Sequence, residues 1–224
     1  MSTITTEQQQ AIAAKLSNMT LRSGLGNEES ACSIAAINLA LTGKLTDDIP
    51  PCMSEVIGTW IIKIQDAMPF DIRNSVRWKE LLPRAAGTGC EKESQRHAIL
   101  CDWMWGVVLP TFQPIADKYG FGANWTHMTN ERTSKAANEA ARHAGEVRID
   151  ADEAVLHLQT LYKAGKADEM AARRMSYEAG KAMVAALQAS ATWHAEVAVT
   201  VGVDDAIWYR FDPCMWLARL INVK

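Results

Sequence analysis

Apolar positions recur at intervals of three and four along most of this chain, which is the spacing of one buried helical face. Thr5 and Gln8 form a capping-box pair before a helix with Ile12, Leu16 and Met19 on one side. Gly24 and Gly26 break the chain. Asn27, followed by Glu28 and Glu29, is expected to cap the next helix, SACSIAAINLALTG. That segment is apolar on nearly every side, so it is expected at the centre of the core, closed by Gly43. After a turn at Asp47–Pro51, a third helix runs to about Met68. Its stripe is Met53, Val56, Ile57, Trp60, Ile61 and Ile64, and Pro69 stops it.

Asn74 or Ser75 is expected to cap a short helix through Leu82. Pro83 would end it and PRAAGTGCEKES would be loop. Glu91 opens another helix, with Ala98, Cys101, Trp105 and Val108 at helical spacing; Pro110 and Pro114 kink or break it. Composition changes in the second half. Residues 136–191 are Ala-rich, with a cap at Asp150 and Glu153 and one long helix expected from Asp168 to about Trp193. Near 196–211 the valines at 197, 199, 201 and 203 alternate with small or polar residues. The preferred reading is continued helix then loop, and the alternative is a short β-hairpin. Asp212-Pro213 then starts a last helix that buries Met215 or Trp216, Leu217, Leu220 and Ile221. The predicted fold is all-α, a multi-helix bundle with an Ala-rich C-terminal half. It is read as one domain over 1–224, with 1–120 and 121–224 as sub-layers.

Bulk properties narrow the function classes. The chain has 224 residues, is 48% hydrophobic and carries a net charge of −3, with a pI near 6.0. It is long enough to bury a core without metals or disulfides. Its acidity argues against extended nucleic-acid binding, which requires an excess of Lys and Arg on one face. The five cysteines are odd in number and form no C-x-x-C, as expected in a reducing compartment. The opening residues lack the charged and apolar regions of a secretory signal, and no stretch reaches the ~20 apolar residues of a membrane span. A cytoplasmic location, away from membranes, is expected.

Three patterns carry candidate chemistry. Arg73, Arg77, Lys79 and Arg84 surround a short helix before a Gly-Thr-Gly loop, and guanidinium forks and glycine N–H groups suit phosphate. The P-loop pattern is missing, and Asp66, Asp71, Glu80 and Glu91 make a solvated charged face the plain alternative. Glu93 and His97, Glu139 and His143, and Glu153 and His157 are each four apart, which places carboxylate and imidazole on one helical face, as in metal-binding bundles. The plain alternative is a set of exposed helix pairs, and the Glu-x-x-His spacing of di-iron bundles is missing. Eight tryptophans are many for this length, and Trp103 and Trp125 are the candidate interface residues. Cys90 near His97 lacks an orienting third group, and no elbow motif surrounds Ser30, Ser33 or Ser54. The paired acidic motifs of all-α pyrophosphohydrolases are not found.

The blocks GNEESACSIAAINLALTG, IQDAMP, LLPRAAGTG, DWMWGVVLP and DPCMWLARLI, ordered around an Ala-rich middle, resemble a group of uncharacterised phage and bacterial helical proteins. That resemblance covers nearly the whole chain and implies a phage or mobile-element origin, but no activity and no site residue. The leading expectation is a non-enzymatic helical binding protein acting by stoichiometric association, with no cofactor, and a homo-oligomer. A pocket for a small phosphate-bearing ligand, such as a nucleotide signal, is second, and a metal-dependent hydrolase is third.

Overall fold

The computed structural model describes residues 4–66, 68–118, 120, 122–132, 136, 139–140 and 205–223. These are mostly helical, as the apolar spacing predicts. The chain divides into two compact units, one of Met1–Trp103 with Asp204–Lys224 and the other of Met104–Val203.

The first unit opens with α1 (Thr6–Ser17), whose capping box forms as expected between Thr5 and Gln8. Ile12 and Leu16 are fully buried. Asn27 does not cap a helix. Its Oδ1 accepts from the N–H groups of Glu29 and Ser30, at 3.0 and 2.9 Å, and closes a local turn. A pair of two-residue parallel strands, β1 (Thr20–Leu21) and β2 (Ser30–Ala31), follows from that turn, with Thr20 opposite Ser30. Gly26 makes it possible: its φ is +81°, and a Cβ there would overlap the backbone of Ser30 and Ala31. Helix α2 (Ser33–Thr42) therefore starts later than the caps suggested, with the Cys32 sulfur accepting from Ala35 N–H. It is the central buried helix, and Gly43 ends it at φ +72°.

Ser54 caps α3 (Glu55–Gln65). A single turn, α4 (Phe70–Arg73), leads to α5 (Val76–Ala86), capped by Ser75. Helix α5 runs through Pro83, contrary to expectation. Trp78, Leu81, Leu82, Ala85 and Ala86 are all buried, so the apolar face continues past the proline, and burial outweighs the one lost backbone bond. Helix α6 (Glu93–Trp103) closes this stretch.

The chain returns to the first unit as α10 (Asp205–Phe211) and α11 (Pro213–Ile221). The described part of the suspected hairpin is thus helix. Residues 196–204 lie outside the described residues, as do the expected Asp150 cap and the Asp168–Trp193 helix. Asp212 joins the two helices at φ +38°. Its N–H bonds Trp208 O, ending α10, and its Oδ1 accepts from Met215 N–H, starting α11. Helix α11 lies beside α5, held at its start by Arg77–Asp212 and at its end by Arg84–Asn222. A connected row of aromatics fills the core. Trp60 meets Trp78 at 6.3 Å and Trp103 at 5.5 Å, Trp103 meets Phe211 at 6.1 Å, and Phe211 meets Trp208 at 5.6 Å.

In the second unit a π-helical turn (Met104–Val108) precedes α7 (Leu109–Thr111), α8 (Gln113–Lys118) and α9 (Gly122–Glu131). The widened turn ends just before Pro110, which cannot donate, and Thr111 Oγ1 donates to Val107 O at 2.7 Å. No helix among the described residues is long and apolar enough to cross a membrane.

Candidate functional site

The four cations grouped by sequence do not converge. Arg73 is 8% exposed, and its guanidinium donates to Gln65 O at 2.6 Å and Leu21 O at 3.2 Å. It braces the end of α3 against β1, and its burial lowers its pKa, opposed by the Asp66 carboxylate. Lys79 donates to Met19 O at 2.8 Å. Arg77 and Arg84 are seven residues apart, on one face of α5, but roughly 10 Å apart along its axis. Each meets a different end of α11.

The interface tryptophans are also placed otherwise. Trp103 is fully buried and donates to Phe211 O at 3.2 Å; Trp125 is fully buried and donates to Leu109 O at 2.8 Å. Each ring is buried and each indole N–H is satisfied within its own unit, so neither presents a surface. Of the metal-ligand candidates, Glu93 accepts from Val56 N–H at 3.0 Å, which ties α6 to α3, and from Arg96 on its own helix at 3.2 Å, so both carboxylate oxygens are engaged. His97 is half-buried and Glu139 is exposed, whereas His143, Glu153 and His157 lie outside the described residues. Among the described residues no three His, Cys, Asp or Glu side chains gather in metal-binding geometry.

Two clefts lie among the described residues of the first unit. One, of about 340 Å³, opens between α4, the start of α5 and the α10–α11 joint. Ile72, Trp208, Pro213 and Cys214 give it an apolar lining, with Asp71, Arg77 and Asp212 as its charged members. Tyr209 lines it too and donates from its hydroxyl to Asp71 Oδ2 at 2.8 Å, which lowers the Asp71 pKa. Tyr209 is 67% exposed, and Phe70 and Val76, each next in sequence to lining residues, are 62% and 72% exposed. The second cleft, of about 460 Å³, lies where the loop after α5 meets the end of α11. Arg84, Lys92 and Arg96 line it with Gln9, Thr88 and Glu91. Of the cations read from sequence only Arg84 belongs there. Lys92, in the loop before α6, and Arg96, one turn into α6, join Arg84 only through the end of α11, which no local spacing in the sequence signals. Compared with known protein families, with curated proteins and with solved structures, the chain matches none of them.

Proposed function

We propose that this chain is a non-enzymatic helical binding protein that acts by stoichiometric association, and that it pairs with a second copy of itself through the Phe70–Val76–Tyr209 surface. One observation carries this reading. Among the described residues four large apolar side chains stand exposed, and three of them, Phe70, Val76 and Tyr209, belong to or adjoin one apolar-lined cleft. Clustering of this kind marks association surfaces, whereas scattered exposed apolar residues are ordinary.

The charges favour a second copy as occupant. The surface carries Arg77 beside Asp71 and Asp212. A two-fold contact sets residue i against j and j against i, so a patch with both signs is complementary to itself. Covering roughly 100 Å² on each of the three side chains in both copies yields about 15 kcal/mol in gross hydrophobic gain. Association costs roughly 4–15 kcal/mol, so the balance runs from about 0 to about 11 kcal/mol, a span that contains micromolar affinity at about 8 kcal/mol. A cytoplasmic setting and a phage or mobile-element origin complete the proposal, the second resting on the resemblance in the order of sequence blocks.

Charge insertion tests the surface. Val76→Asp and Tyr209→Asp should each weaken self-association at least tenfold by light scattering, while Leu25→Asp, at the exposed apolar residue away from this cleft, should leave it unchanged. Equal loss in all three variants, or loss in none, would refute the placement.

A further inference from the structure

We propose that the cleft between Arg84, Lys92 and Arg96 binds the phosphoryl group of a small organic phosphate. Three cations border this cavity, against the single carboxylate of Glu91. All three are held in place by the end of α11. Arg96 donates to Leu220 O at 3.2 Å, Arg84 to Asn222 Oδ1 at 2.8 Å, and Lys92 to Val223 O at 2.9 Å. Capping a helix C-terminus with cations is favourable in itself. It accounts, however, for only one donor on each of Arg84 and Lys92, out of five on a guanidinium and three on an ammonium.

Arg96 is a fixed element rather than a flexible hand. It is 3% exposed, and besides Leu220 O it meets Gly89 O, Thr88 O and Glu93 Oε1, at 2.8, 2.9 and 3.2 Å. Four contacts leave one guanidinium N–H. Thr88 donates from its hydroxyl to Ala85 O and accepts from Ser54 N–H, which fixes the loop that forms the cavity floor. The geometry is therefore one of pre-set positive charge with spare donors on the two outer cations, which suits a tetrahedral oxyanion. A cavity of about 460 Å³ exceeds what inorganic phosphate fills and lies within the usual range for small-molecule pockets. The Gln9 carboxamide on α1 adds a neutral donor and acceptor for the remainder of such a ligand.

Titration calorimetry on the full chain, at constant ionic strength with chloride as the balancing anion, tests the site with pyrophosphate as the probe. Saturable binding of one pyrophosphate per chain is expected, weakened at least tenfold in Arg84→Gln and in Lys92→Gln. Lys92→Arg should retain it, and so should Arg77→Gln, at the other end of α5. The absence of saturable binding to the unaltered chain would overturn the proposal, whatever the variants do. Equal weakening by Arg77→Gln would reduce the effect to overall charge and overturn it too.

Discussion

Replacing Arg73 by Met separates two roles that the sequence leaves merged. The long apolar side chain of Met keeps much of the volume and removes every donor. In the structure Arg73 reaches Gln65 O at 2.6 Å and Leu21 O at 3.2 Å. Leu21 O retains Asn74 Nδ2 at 2.9 Å, so the carbonyl left without its side-chain donor is that of Gln65, at the end of α3. Hydrogen bonds from charged donors contribute roughly 1.5–3 kcal/mol each. The gain from no longer burying a charge offsets part of the loss. The expected net cost is about 2–4 kcal/mol. Arg77→Met removes only an ion pair whose partners are 60% and 38% exposed, for which roughly 0–1 kcal/mol is expected. Urea unfolding followed by tryptophan fluorescence, at one protein concentration, measures both. Equal costs for the two variants, or an Arg73→Met cost below about 0.5 kcal/mol, would refute the bracing role.

Asp212→Ala removes the cap of α11 and places a β-carbon residue without a short polar side chain at φ +38°; together these should cost about 2 kcal/mol, and Asp212→Asn should cost well under half of that, by the same urea assay. Cys32, Cys52 and Cys214 are buried with thiol pKa values pushed up by burial, whereas Cys90 is exposed. Brief maleimide treatment at pH 7.5 should therefore modify Cys90 and spare those three, as read by peptide mass mapping; modification of the buried three at the same rate would contradict the packing. The Tyr209 hydroxyl lowers the Asp71 pKa, so this contact favours the folded state above the ordinary carboxylate range and is lost as pH falls through the lowered value. In Tyr209→Phe the Asp71 titration followed by carboxyl NMR should move upward, and an unchanged titration would show that the bond does not form.

Local signals in the sequence are legible where the chemistry is local. The Thr5–Gln8 box, the Gly43 stop and the Asp212-Pro213 start are each satisfied within four residues, and the structure realises all three. Asn27 and Pro83 depart from their local signals because the deciding partners are elsewhere: the backbone approach at Gly26 in one case, and the buried face of α5 in the other. The candidate sites were least legible for the same reason. Arg77 and Arg84 look like one cluster until α11, more than 130 residues later, is placed along α5 with a partner for each. Phe70, Val76 and Tyr209 belong to three different elements and share no spacing, so no periodicity could have joined them. Trp103 and Trp125 show the converse: a large aromatic with a polar edge suits an interface or a core, and only the carbonyls of Phe211 and Leu109 decide which.

Self-association through one surface is the central claim, and the mass of the unaltered protein across concentration tests it most directly. Sedimentation equilibrium from about 1 to 200 µM, a range that brackets micromolar affinity, should show the weight-average mass rising from that of a single 24.7 kDa chain toward twice that value and levelling there. A constant 24.7 kDa over the whole range would contradict the account.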